Sequence, residues 1–306
     1  MGLLPASLVF IERDWLSSNQ LVARENGADK AGVVVDTGYS TRSALTVALI
    51  DRALGGARLE RIVNTHTHSD HIGGNAALAA RHGCHILIPA GARQTVDDWD
   101  EDGLLLAPPG QVCERFDVGA TFAAGDRIEI GGLDWQAIGS PGHDDDSLVL
   151  FEPRHRLLLS ADALWENGFG ILFPDFFDEP AFEHQAGTLA RIAALDIALV
   201  LPGHGPMFSD VAGALDRARR RLGYFRAQPQ RHARSTLKVV LSFLLLDRRT
   251  LALGELEEEF ARLALVEQIN ARYFGAAPAR LATEIRDELI GAGAARIDGD
   301  ALVPVV

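Results

Sequence analysis

The stretch from Asn64 to Gly74, NTHTHSDHIGG, places His66, His68, Asp70 and His71 within six residues of a chain that has ten histidines in all. It sits at the C-terminal end of a run, RIVNT, that reads as a buried strand, and it precedes an alanine-rich run that reads as a short helix closed by Gly83. Two histidines two apart at a strand end project to the same side. Asp70 and His71 follow where the chain turns, and Gly73-Gly74 predict a tight backbone exit. A helical zinc motif would space its histidines four apart instead. Four ligands fanned from one turn suit two adjacent metal ions better than a single tetrahedral site.

Three further hydrophobic runs each end on one candidate ligand: SPGH on His143, LLLSAD on Asp162, and LVLPGHG around His204. A lone histidine after Pro-Gly can simply cap a turn. Together with the opening cluster, these strand ends describe a site along one edge of an α/β scaffold.

The set His-X-His-X-Asp-His, then PGH, a strand-end aspartate and a second PGH resembles the metallo-β-lactamase superfamily, over about residues 5 to 225. The resemblance implies an αββα sandwich with two divalent metal ions at one edge, zinc first, with manganese or iron as alternatives. It implies that His66, His68 and His143 hold one ion, that Asp70, His71 and His204 hold the other, and that Asp162 bridges them. Two ions about 3.5–4 Å apart can share a hydroxide, which attacks a carbonyl or phosphoryl centre while a metal polarises its oxygen. Asp70, beside that water, would orient it and accept its proton. Asp36 in VVVDTG and Thr65 are the first candidates for outer partners of the ligands.

Outward from the motif, LVFIERDW, NQLVAREN and AGVVVDTGY read as strands, and STRSALTVALIDRALGG as a helix. Residues 92–125 lack a clear period and read as a long excursion over the core. Strands return from residue 126, with helices expected over 184–196 and 210–228. Composition shifts near residues 229–234. Three helices are then expected, over 235–246, 253–268 and 278–293, before two short strands around Asp298-Gly299. The expected organisation is a metallo-β-lactamase-type catalytic domain over 1–228 and a small helical, winged-helix-like domain over 229–306.

The net charge of −13 disfavours nucleic acid and anionic membrane as partners. The N-terminus shows no signal-peptide pattern and no run is long enough to span a membrane, so a cytoplasmic protein is expected. Cys84 and Cys113 are isolated and read as free thiols. Trp165, Phe169, Phe173, Phe176, Phe177 and Phe182 follow Asp162 and could wall an apolar pocket, with LLLAPP at 104–109 opposite. Asp144 to Asp146 read as a solvated turn, or as a rim that would discourage polyanions. Seven arginines between Arg217 and Arg234 read as a solvated, salt-bridged face or as an anion dock. Residues 235–306 are slightly acidic, unlike a nucleic-acid-reading unit, and are assigned to packing, dimerisation as a homodimer, or a wall of the pocket. The expected function is dinuclear metal-dependent hydrolysis of a small acyl substrate, a thioester, lactone or other ester. The alternatives are a metal-dependent endonuclease acting on RNA and a binding protein with a vestigial site.

Overall fold

The computed structural model describes residues 4–24, 31–173 and 180–305. Six strands, β1 (Leu8–Ile11), β2 (Gln20–Arg24), β3 (Ala31–Val35), β4 (Arg58–Val63), β5 (His85–Pro89) and β6 (Ala120–Phe122), form one sheet in that spatial order. From β3 to β6 all pairings are parallel. Five more strands form a second sheet: β7 (Arg127–Ile130), β8 (Leu133–Gly139), β9 (Leu148–Glu152), β10 (Leu157–Ala161) and β11 (Leu199–Pro202).

Side-chain alternation explains the layering. Leu21, Ala23, Val33 and Val35 of the first sheet meet Trp135, Leu150, Leu159 and Leu201 of the second in one buried cluster. The intervening residues Val22 and Val34 point the opposite way, against Ile50, Leu54, Leu78 and Val96. Those come from α1 (Ser43–Leu54), α3 (Asn75–His82) and α4 (Arg93–Asp98), with the one-turn α2 (Ser69–Ile72) between α1 and α3 in the chain. On the outer side of the second sheet, Val149 and Phe151 pack on α5 (Ala181–Ala193) and α6 (Val211–Ala227). Strands buried on both faces read as near-continuous apolar runs, as IVN and LLLS do here. The result is the expected αββα sandwich.

Topology then places the site. β3 and β4 are parallel neighbours, so Asp36 and the opening motif emerge at the same end of the first sheet. β8 and β10 are each antiparallel to β9, and β11 is parallel to β10, so β8, β10 and β11 all end together. The two sheets are joined at this edge: Leu148 N donates to Thr65 O at 2.9 Å, and Asn19 N to Gly203 O at 2.7 Å.

The C-terminal segment has its own core. α7 (Pro229–Arg248), α8 (Leu256–Ala261), α9 (Ala264–Tyr273) and α10 (Pro278–Gly291) bury Leu237, Leu241, Phe260, Ile269 and Ile285 together. β13 (Ala295–Asp298) and β14 (Ala301–Pro304) make the expected hairpin, joined by the two-residue β12 (Leu251–Ala252). Two expectations are corrected. The helix expected over 253–268 is two helices, broken around Leu263, whose extended backbone starts a new helix. The helix expected over 235–246 is longer: it is α7, which starts at Pro229, a position where the missing N–H of proline costs nothing. Cys84 and Cys113 are free. Among the described residues no helix is long and apolar enough to cross a membrane.

Gly73 and Gly74 also correct their sequence reading. Their φ values of −63° and −91° are open to any residue, so conformational freedom is not what they supply. A Cβ on Gly73 would lie 2.2 Å from Ser40 N, and one on Gly74 2.5 Å from Thr37 O. They are glycine because two backbones touch. Gly73→Ala is therefore expected to lower unfolding free energy by about 1–3 kcal/mol in denaturant titration, and an unchanged midpoint would contradict this packing.

Candidate metal centre and substrate chamber

Each candidate ligand is set by the end of a strand. His66, His68, Asp70 and His71 follow β4, with Asp70 and His71 inside α2; His143 follows β8, Asp162 follows β10 and His204 follows β11. All seven come together. Donor atoms of His66, His68 and His143 lie within 4.8 Å of one another, as do those of Asp70, His71 and His204, and those of His66, His71 and Asp162. Asp162 spans both groups, with Oδ1 3.4 Å from His71 Nε2 and Oδ2 3.4 Å from His143 Nε2.

Asp36 orients two of these rings. It is buried at the end of β3 in a left-handed conformation, φ 58°, that aspartate tolerates better than most residues. Its Oδ1 accepts from Thr65 N at 2.9 Å, and its Oδ2 accepts from Thr65 Oγ1 and from His71 Nδ1, both at 2.8 Å. Because Thr65 Oγ1 spends its proton on Asp36, it accepts from His66 Nδ1 at 3.1 Å. Both rings thus carry their proton on Nδ1 and present Nε2 inward. Ile171 O does the same for His143, whose Nδ1 donates to it at 2.5 Å. Asp36 and Thr65 are the partners that the sequence points to; the carbonyl of Ile171 has no sequence signal.

This arrangement fits metal ions. His66 Nε2 and His71 Nε2 are buried and have no hydrogen-bond partner among the described residues, an expensive state for bare polar atoms. Burial, then the neighbouring imidazoles, holds His66 well below the ordinary histidine range. Burial likewise pulls His68 and His143 down to about 4, so these rings are neutral, the form that binds a metal. At His71 burial works the other way from Asp36, Asp70 and Asp162, and the carboxylates win, raising it well above its usual value. Three buried carboxylates demand positive charge there. A divalent ion would supply it.

Beside these groups lies a chamber of about 600 Å³. Trp165, Phe169 and Phe173 line it as expected, together with Leu105 and Pro109 of the 104–109 stretch. Trp165 Nε1 also donates to Asp162 Oδ1 at 3.2 Å, and Phe173 lies 5.9 Å from His68. Phe182 instead packs on His232 and the outer core, and Phe176 and Phe177 lie outside the described residues. Trp15 is a residue that sequence reasoning misses. It stacks flat on His204, 5.2 Å between centroids, at the chamber's edge, and nothing about ERDW distinguishes such a tryptophan from a surface one.

The arginine-rich stretch divides. Arg217 is held by Glu166 O and Asp210, Arg226 by Glu183, and Arg234 by Glu284 and Glu288. Arg221 is separate: it lines the chamber with its guanidinium over the Phe169 and Phe225 rings. Asp144, Asp145 and Asp146 border a second cavity of about 240 Å³ that shares His68, His143 and Phe173 with the first. They do form a rim.

A family model for the metallo-beta-lactamase superfamily matches residues 13–204, and the chain belongs to that family. It is similar to a hydroxyacylglutathione hydrolase of Nitrosococcus oceani, 30% identical over 223 residues, covering 69% of this chain and 76% of that protein. It is also similar to a hydroxyacylglutathione hydrolase of Rhodopseudomonas palustris (strain HaA2), 29% identical over 161 residues. The chain spans about half the length of that relative, 54%, using 52% of its own. A solved metallo-beta-lactamase family protein of Thermus thermophilus shares the fold over 99% of this chain and 100% of its own, with TM-score 0.59 and 19% identity. A beta-lactamase domain protein of Burkholderia ambifaria does so over 99% and 95%, with TM-score 0.58 and 18% identity.

Two outcomes follow. Asp36→Asn removes the acceptor that sets both tautomers, and metal titration of the variant is expected to show about 10–100-fold weaker binding; unchanged affinity would contradict the relay. Burial and the carboxylates of Asp144 and Asp145 push Asp146 up to about 6, so the folded chain binds a proton there that the unfolded chain releases near pH 4. Stability from this group is present below that pH and lost as pH rises to 6. Asp146→Asn is expected to raise the thermal midpoint at pH 7, an advantage that disappears below about pH 4.

Proposed function

We propose that this protein is a dinuclear metal-dependent hydrolase of small-molecule acyl substrates, thioesters or other carboxylic esters, lactones included. One observation carries the reading: two triads of donor atoms with Asp162 between them, opening on an aromatic-lined chamber. His66, His68 and His143 would hold one ion, Asp70, His71 and His204 the other, and Asp162 would be shared. Five imidazoles and two carboxylates suit zinc, and manganese or iron are compatible with the same donors. Bound divalent ions supply Lewis acidity and bring the ionisation of water toward neutral pH.

The chain's own groups do the rest. Burial opposes ionisation of Asp70, but His71 and His204 outweigh it and hold the carboxyl below its usual range. Its Oδ2 faces His204 Nε2 at 2.9 Å, which leaves Oδ1 to take a proton from the attacking water. Water adds across the acyl bond, and the thiol or alcohol leaves with a proton. Trp165 fixes the Asp162 carboxylate, while the aromatic wall keeps bulk water from the reacting acyl group. Residues 1–228 would carry this chemistry, and 229–306 would form a second unit that closes the chamber. The names of the hydroxyacylglutathione hydrolases favour a thioester. The endonuclease reading draws little from the arginine-rich helix, since Arg217, Arg226 and Arg234 are already tied to acidic partners.

Purified after metal supplementation, the protein is expected to hold about two transition-metal equivalents. Asp70→Ala should keep the fold by circular dichroism and lose about 10²–10⁴-fold in kcat. A fully active Asp70→Ala enzyme would sink this role.

A further inference from the structure

α7 is apolar on two sides. Ala233, Leu237, Leu241 and Leu244 face the C-terminal core, which accounts for one. Val239, Phe243 and Leu246, at helical spacing, form a second side that lines the chamber beside the candidate metal centre, with Val240 shared between the two sides. A globular helix with one buried stripe does not need the second.

That side is incompletely covered by the described residues. Among the described residues, Val239 is 40% exposed, Val305 51% and Trp15 59%, and all three line this same chamber. Large apolar side chains left bare around one concavity mark a surface that something apolar covers. The concavity is continuous with the candidate ligands: Trp15 stacks on His204 at one end, and Phe173 meets His68 and His143. Its volume of about 600 Å³ is that of a site burying a drug-sized molecule, far more than a two- or three-carbon acyl group fills.

We infer that the chamber seats a large apolar acyl group, whose chain runs from the metal centre along α7 to Val305. This rests on the hydrolase reading for its chemistry, but the seat itself is a binding property and can be measured separately. Val239 and Val305 are then specificity-determining positions: they touch the far part of the acyl chain and not the scissile bond.

The test uses the metal-loaded full chain and two readouts. Calorimetry compares decanoate with acetate, which share a carboxylate head and differ only in chain; decanoate is expected to bind at least about a hundred-fold more tightly. Turnover of N-acetylcysteamine thioesters from acetyl to decanoyl is expected to rise about four-fold in kcat/KM per methylene until the chamber is full. Val239→Trp should lower the decanoyl-to-acetyl ratio about ten-fold or more, and weaken decanoate binding. Val305→Trp, on the last strand's exit, repeats the test should the helix variant not fold. Tight decanoate binding without hydrolysis of any decanoyl thioester, oxygen ester or lactone supports the seat and overturns the acyl-hydrolase reading. Equal binding of decanoate and acetate overturns the seat, whatever the enzyme cleaves.

Discussion

The Asp36 carboxylate accepts three hydrogen bonds in a place water does not reach, and the geometry of the centre depends on them. A buried imidazole has two tautomers that present different nitrogens, and only a fixed acceptor chooses between them. Asp36 chooses for His71 directly and for His66 through Thr65. It can do so because β3 and β4 run parallel in adjacent positions, so one strand end delivers the acceptor beside the rings that the next delivers. Asn64 and Thr37 secure the same turn from the other side, both donating to His71 O, at 3.0 and 2.8 Å. The left-handed backbone at Asp36 is the local cost of placing its side chain there.

Parallel strand ends also explain why so much of the site was legible in the sequence. Each candidate ligand sits beyond an apolar run whose burial is unambiguous, so the pattern of strand followed by His or Asp survives without knowledge of the contacts. Trp15 was not legible for the opposite reason, and α7 was legible only as part of a unit with a pocket wall among three possible roles. A surface tryptophan and a helix apolar on two sides have ordinary explanations until the neighbouring segment is known, and that segment lies far away along the chain. Gly73-Gly74 shows a third situation. The right residues stand out, but the cause is contact with residues 37–40, which no local pattern reveals.

The candidate ligands and most of the chamber wall stand on different parts of the fold. The candidate ligands stand on two sheets pinned together by a common core of Val33, Val35, Trp135 and Leu150, and by backbone hydrogen bonds at the site's own edge. The chamber walls come from the 104–109 loop, the segment after Asp162, α7 and the last strand. The segment after Asp162 belongs to both, since its Trp165 and Ile171 line the chamber and also hold Asp162 and His143 in place.

The charge distribution agrees with this division. Arg217 is tied to Asp210 at the start of its own helix, while Arg226 joins α6 to α5 through Glu183 and Arg234 joins α7 to α10 through Glu284 and Glu288. Arg221, the cation that lines the chamber among the described residues, lies against two aromatic faces that favour its charge. On the other side of His68 and His143 stand Asp144, Asp145 and Asp146. A substrate approaching this centre meets apolar surface on one side and carboxylates on the other. An apolar group entering beside the candidate ligands would therefore be favoured on the chamber side.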